Sequence, residues 1–149
     1  GMTVNGHQIK MTSYREPENI PWGELDIDIV IESTGIFRTK ELASKHIQAG
    51  AKKVILSAPP KDPKIKEVCY GINHKTIKKS DKIISNASCT TNCMAPIVKI
   101  IDDKLKINKA YMLTVHAMTN TQKIAKNSPH LQSSQKPIYH RLYLVCCTQ

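Results

Sequence analysis

Aromatic residues are scarce in this chain, with 1 Phe, 1 Trp and 5 Tyr in 149 residues. That leaves little material for the stacking platforms on which single-stranded nucleic acid lies. Acidic residues are also few: 12 Asp and Glu stand against 22 Lys and Arg, a net charge of +10. Such a balance attracts polyanions, and equally small phosphorylated or carboxylated ligands. The lysines are scattered (Lys52, Lys53, Lys61, Lys64, Lys66, Lys75, Lys78, Lys79, Lys82), which is the pattern of a solvated surface. There is no zinc-finger spacing and no basic region running into heptads. No stretch of ~18 apolar residues is present to span a bilayer. The opening residues lack the basic-then-apolar pattern of a secretory signal. The 5 Cys are odd in number and irregularly spaced, so a disulfide framework is not expected and a reduced, cytoplasmic setting is.

Hydrophobic residues make up 40% and charged residues 23%, which places the chain among globular proteins rather than disordered ones. Its length matches one ordinary domain of ~150 residues. Residues 1–14 read as a hairpin, because Asn5-Gly6 is the favoured two-residue turn, with Ile9, Met11 and Ser13 alternating after it. The β-branched run Asp28–Glu32 reads as a strand buried on both faces. Thr39 caps a helix that runs to Ala49 and stops at Gly50, with Leu42, Ala43, His46 and Ile47 on one face. Val54–Leu56 is the next strand, completing a βαβ unit. Val68–Ile72 and Lys82–Ser85 are further candidate strands. A helix follows from Cys89 to Lys104, with Met94, Ile97, Val98 and Ile101 as its core stripe and Pro96 expected to kink it or to remove a backbone hydrogen bond there. Tyr111–Met118 reads as a long strand ending at His116. The pattern decays after Pro129, and the apolar residues of the last dozen positions find no evident partner. The fold class is therefore α/β.

Open α/β sheets bind ligands at the carboxyl ends of their strands. Three candidate strand ends carry small polar residues: Ser33-Thr34-Gly35, Ser57-Ala58-Pro59 and Ser85-Asn86-Ala87-Ser88. Each could simply terminate a strand; together they suggest a shared crevice. The most informative segment is Ser85-Asn86-Ala87-Ser88-Cys89-Thr90-Thr91-Asn92-Cys93. It feeds a strand directly into a helix whose first turn holds a thiol. Amide N–H groups at a helix start stabilise an anion, so Cys89 is expected to ionise readily and to be the most reactive thiol. The same amides, with the hydroxyls of Ser88 and Thr90, could hold a developing oxyanion. Two other readings stay open: Cys89 as a small buried hydrophobe, and Cys89 with Cys93 as a metal pair. Cys93 itself reads as structural, and Cys69, Cys146 and Cys147 have no comparable setting. His116 is the candidate base, with Thr119 and Asn120 beyond it suited to phosphate or hydroxyl groups.

That segment, read through Ala95-Pro96, resembles the active-site signature of the glyceraldehyde-3-phosphate dehydrogenase family. The resemblance extends to Val4-Asn5-Gly6, Trp22-Gly23, Glu32-Ser33-Thr34-Gly35, Ser57-Ala58-Pro59, Gly71-Ile72-Asn73-His74 and Thr114-Val115-His116-Ala117. It covers about residues 2–130. It implies a fold made of part of a Rossmann-like parallel sheet, the second half of a cofactor domain, followed by the first elements of an α+β catalytic domain. The implied division is 1–88 for a truncated NAD-binding domain, 89–130 for the start of the catalytic domain, and 131–149 for a divergent tail.

The implied function is NAD-dependent, phosphorylating oxidation of glyceraldehyde 3-phosphate in glycolysis, with Cys89 as nucleophile and His116 as base. Ser88, Thr90 and Thr119 match positions that contact substrate or phosphate. Arg15, Ser33, Thr34 and Ser57 match positions lining the NAD site. Inorganic phosphate is the implied second substrate and a homotetramer the implied assembly, with no metal, membrane or specific nucleic-acid partner. Erythrose-4-phosphate dehydrogenase, and a non-catalytic basic binding protein derived from the enzyme, are the alternatives. The chain holds no G-x-G-x-x-G turn to seat a pyrophosphate, so it is expected to open within the cofactor domain and to be inactive alone.

Overall fold

A computed structural model describes residues 1–116 and the backbone of 141–147. It divides into two units, Gly1–Ile100 and Ile101–Gln149.

The first unit opens with a hairpin of β1 (Met2–Val4) and β2 (His7–Ile9), in which Met2 faces Ile9. Asn5 and Gly6 have φ of 48° and 79°, as the expected turn demands. The strands are shorter than the sequence pattern suggests. All their residues are exposed, and Met11 lies outside them with 66% of its surface open. Among the described residues no layer covers either strand, and alternation alone does not extend a ladder.

The central element is a parallel sheet in the order β3-β4-β6-β5. Its strands are β3 (Ile29–Glu32), β4 (Lys53–Leu56), β5 (Lys66–Glu67) and β6 (Ile83–Ser85). The crossover from β3 to β4 is α1 (Lys40–Gln48). The Thr39 hydroxyl accepts from the Leu42 amide at 3.2 Å and starts this helix. At its far end Gly50 has φ +106°, and a Cβ there would lie 2.5 Å from the Cα and N of Gly23. The Gly23 amide donates to the Ala49 carbonyl at 3.0 Å, so the Trp22-Gly23 loop sits directly on the helix end.

The core lies on the α1 face: Ala43, Val54, Leu56 and Ile65 are buried, with Ile47 and Ile83 packed against them. β3 is not buried on both faces as its β-branched run suggests. Val30 and Glu32 are buried, whereas Ile29 and Ile31 are 52% and 67% exposed. The helix covers one face of the sheet, and the β-branched preference of a strand does not report which faces are covered.

Two further expectations are corrected. The strand assigned to Val68–Ile72 lies earlier, at Lys66–Glu67, because Asn73 folds the next residues into a turn. Its side-chain amide donates to the Glu67 carbonyl at 2.9 Å and its side-chain oxygen accepts from the Cys69 amide at 2.8 Å. The helix α2 (Cys89–Leu105) carries Pro96 within it, and none of its residues is fully buried. Met94, Val98 and Ile101 are half-buried and Ile97 is exposed, so the expected core stripe is only partly covered.

In the second unit β7 (Lys109–Val115) pairs antiparallel with β8 (Arg141–Cys147), in a register that sets Tyr111 opposite Val145. The tail thus does find a backbone partner. An antiparallel pair needs only matching N–H and C=O groups, which side-chain patterning does not reveal. His116 directly follows β7. Thr119, Asn120 and Ser128–Pro137 lie outside the described residues.

Gly50→Ala is expected to destabilise the chain by about 2 kcal/mol or more, because it combines a strained φ with a clash against backbone. Urea unfolding followed by the fluorescence of Trp22 checks this, and an unchanged midpoint would refute the tight Gly23–Gly50 approach.

Candidate active site

The sheet order puts the ends of β3, β4 and β6 side by side, and all three strands run the same way. Ser33-Thr34-Gly35, Ser57-Ala58-Pro59 and Asn86-Ala87-Ser88 therefore form one ledge along the carboxyl edge. Ser33, Thr34, Gly35 and Ser57 are exposed on it. The carboxyl edge of the sheet thus carries these residues, and Arg15 is exposed in the segment after the hairpin.

Beyond β6 the chain turns sharply into α2. Ala87 makes this possible with φ +57°, a left-handed conformation costing an L-residue roughly 1–2 kcal/mol. Several bonds hold it there. The buried Ser85 hydroxyl donates to the Ala58 carbonyl at 2.8 Å and accepts from the Ala87 amide at 3.0 Å. The Asn86 amide donates to the Leu56 carbonyl at 2.9 Å, tying the turn to the end of β4. Ser88 then caps the helix: its hydroxyl accepts from the Thr91 amide at 3.0 Å and pairs with the Thr91 hydroxyl at 2.8 Å.

Cys89 is the first residue of the helix and its thiol-bearing side chain is exposed. It is not the buried hydrophobe of the competing reading. It sits at the positive end of the α2 dipole, where a thiolate is favoured. Thr90 is half-exposed beside it, and Cys93 is exposed one turn further on. Among the described residues, no group of three or more His, Cys, Asp or Glu side chains could hold a metal. His116 is exposed and belongs to the second unit.

The other end of the ledge rests on a network that sequence reasoning missed. Glu32, only 4% exposed, closes β3. One of its oxygens, Oε1, accepts from the Thr34 amide at 2.7 Å and from the Thr34 hydroxyl. The other, Oε2, lies 2.9 Å from His46 Nε2. The Trp22 indole N–H donates to His46 Nδ1 at 3.1 Å. An indole can only donate, so Nδ1 must be the acceptor and Nε2 must carry the proton. The ring is thereby set as the neutral Nε2–H tautomer, and Phe37 packs edge-on against it with centroids 6.1 Å apart. The sequence signal was available: Glu32 shares the buried parity of Val30, and His46 lies on the apolar face of α1.

These features can hold an anion at the α2 start and can present fixed polar groups along the ledge. Residues 1–40 match the family model "Glyceraldehyde 3-phosphate dehydrogenase, NAD binding domain". Residues 88–135 match "Glyceraldehyde 3-phosphate dehydrogenase, C-terminal domain". The glyceraldehyde-3-phosphate dehydrogenase of Bacteroides fragilis is 57% identical over 122 residues, 82% of this chain and 36% of the relative. The cytosolic enzyme of Trypanosoma brucei brucei is 52% identical over 122 residues, again 82% of this chain and 36% of the relative. The chloroplastic A form of Scenedesmus vacuolatus is 50% identical over 123 residues, 83% of this chain and 39% of the relative. The chain therefore spans little more than a third of the length of these relatives.

Glu32→Gln, an isosteric change, is expected to cost roughly 1–3 kcal/mol, because both oxygens face donors and an amide NH2 must meet one of them. Urea unfolding read by Trp22 fluorescence measures it; a change below about 0.5 kcal/mol would show that one oxygen is not an acceptor.

Proposed function

Since the chain belongs to the glyceraldehyde-3-phosphate dehydrogenase family, we propose that it supplies the thiol and part of the NAD site of an NAD-dependent, phosphorylating aldehyde dehydrogenase. The observation that carries this reading is the exposed Cys89 at the first position of α2, set beyond a left-handed Ala87 at the carboxyl edge of a parallel sheet.

The residues present fit a dinucleotide along that edge. Ser33, Thr34 and Ser57 are exposed polar groups on adjacent strand ends, and a Cβ built at Gly35 would meet nothing within 4 Å, so the ledge is open there. Arg15 would add a cation. The Thr34 hydroxyl is already engaged with Glu32 and with the Ile36 amide at 3.1 Å. Ser33 and Ser57 are therefore the better donors to the cofactor. The 149 residues contain no G-x-G-x-x-G turn, so pyrophosphate binding of the usual kind is not supplied by them.

Chemically, the Cys89 thiolate adds to the aldehyde carbon of glyceraldehyde 3-phosphate and forms a C–S bond. His116 takes the proton that the Cys89 thiol gives up and passes it to the carbonyl oxygen, which becomes the hydroxyl of a thiohemiacetal. His116 then removes that hydroxyl proton as the carbon–hydrogen bond breaks. NAD, when bound, supplies the two-electron acceptor for the hydride. The thioester left on Cys89 is attacked by inorganic phosphate, which breaks the C–S bond, releases 1,3-bisphosphoglycerate and restores the thiolate. Ser88, Thr90 and Thr119 are the proposed contacts to substrate and phosphate. The pairing of His116 with Cys89 rests on the family resemblance. A cytoplasmic setting and assembly as a homotetramer follow from the same reading.

Glyceraldehyde 3-phosphate should slow alkylation of Cys89 by iodoacetamide severalfold while leaving Cys93 unaffected, as read by peptide mass spectrometry. Equal protection of both, or of neither, would remove the aldehyde-binding role. Stronger protection by erythrose 4-phosphate would reassign the substrate. A polypeptide of these 149 residues alone should form no NADH from glyceraldehyde 3-phosphate, NAD and phosphate.

A further inference from the structure

Behind the turn that presents Cys89 lies a second layer of hydrogen bonds, centred on Asn92. Its side-chain amide donates to the Asn86 carbonyl at 2.7 Å and to the Ser88 carbonyl at 2.9 Å. Only an NH2 group can serve two carbonyls, so the carboxamide has one orientation and its oxygen points the other way. There it meets the sulfur of Cys69 at 3.5 Å. An amide oxygen only accepts, so the donor in this contact is the Cys69 S–H, for which the Tyr70 carbonyl at 3.9 Å is the more distant acceptor. Cys69 is 5% exposed, and its own amide is fixed by Asn73 at 2.8 Å.

We propose that Asn92 is a positioning residue for Cys89, clamping the Asn86–Ser88 turn from the helix side, and that the buried Cys69 thiol orients it. This inference rests on the reading of Cys89 as the reactive thiol. Two physical effects follow from the geometry. First, the Ser88 carbonyl receives two donors, the Asn92 backbone amide at 3.0 Å and the Asn92 side chain. That carbonyl belongs to the peptide whose N–H is Cys89's own. Loading the carbonyl with donors polarises the peptide and strengthens its N–H end, where negative charge on the thiol would be stabilised. Second, the bond to Asn86 closes the turn around Ala87, opposing its relaxation from φ +57°. Without the clamp the strand–helix junction can open, and Cys89 loses its fixed place at the helix start.

The cysteines of the first unit make the test self-controlled. Cys89 and Cys93 are exposed and Cys69 is buried. Labelling of Cys69 reports loss of folding, Cys93 is the internal standard, and Cys89 is the readout. In the full chain, limiting iodoacetamide across a range of pH, with peptide mass spectrometry, gives a pH–rate profile for each.

Asn92→Ala should slow Cys89 at neutral pH by about tenfold and move the midpoint of its profile upward by about one unit, with Cys93 unchanged and Cys69 still protected. An unchanged Cys89 profile with Cys69 protected would overturn the proposal. If Asn92→Ala exposes Cys69, the pair Cys69→Ala and Cys69→Ser carries the test. The alanine should slow Cys89 two- to threefold, and the serine, which keeps a donor, should restore it. Identical Cys89 rates in the two variants would overturn the orienting role of Cys69. A wild-type Cys89 no faster than Cys93 would instead overturn the underlying reading of Cys89 as an activated thiol.

Discussion

A strand must stop and become a helix within three residues, and the left-handed Ala87 is the constraint on which the rest depends. A non-glycine residue in that conformation persists only where its surroundings over-determine it. Here they do so from three directions. Ser85 and Asn86 tie the turn to the end of β4, Ser88 fixes the first helical turn, and Asn92 closes it from behind. Ala87 is itself only 4% exposed, so a larger side chain has no room and glycine would loosen the turn. The residues flanking the reactive thiol are thus first of all the means of holding a strained backbone. The ligand contacts proposed for Ser88 and Thr90 would be a second use of the same short segment.

The opposite end of the ledge is secured by different chemistry. A carboxylate buried at the end of β3 would be costly alone, but Glu32 has a donor for each oxygen. One donor comes from the very turn it stabilises, the other from α1 through His46, and Trp22 fixes that ring from the loop docked at Gly50. Strand end, helix and loop are coupled through one side chain. Both ends of the ledge therefore share a logic: exposed polar residues are positioned by buried or half-buried polar residues behind them.

Much of this was legible in the sequence where a residue type has one conformational use. Asn5-Gly6, Thr39 and Gly50 each mark a backbone geometry, and the structure places a turn, a cap and a helix stop there. Cys89 at a helix start was legible too, because a strand run met a helix run at Ser88. What escaped was information held between distant residues. Nothing local shows that Cys69 serves Asn92, or that Trp22 meets His46, 24 positions away. The burial of β3 was misjudged for a related reason. Ile29 and Ile31 have the composition of a doubly covered strand, while their burial depends on which elements lie against the sheet. Asn73 likewise turned the chain where its apolar neighbours suggested a strand, because a side chain that bonds backbone competes with the ladder.

The charge of the chain is best understood through what the lysines do. Lys45 is shared by Glu18 and Glu16, and hydrogen bonds to both raise its pKa above the ordinary value. Lys52 is shared by Asp28 and Asp26, with the same effect from Asp28 first. Lys66 pairs with Asp81, and its hydrogen bond, with one from the Lys78 amide, lowers the Asp81 carboxyl. These pairs, exposed or half-exposed, tie neighbouring segments together locally and, being reached by solvent, add little stability each. They also use up acidic groups, leaving the excess of +10 to basic residues scattered along the sequence. A diffuse positive field of this kind draws in anions without selecting among them. Every ligand proposed for the ledge is an anion: a dinucleotide, a phosphorylated aldehyde and inorganic phosphate. Long-range charge would raise their encounter rate, while the discrimination would fall to the short-range geometry fixed by Glu32 and Asn92.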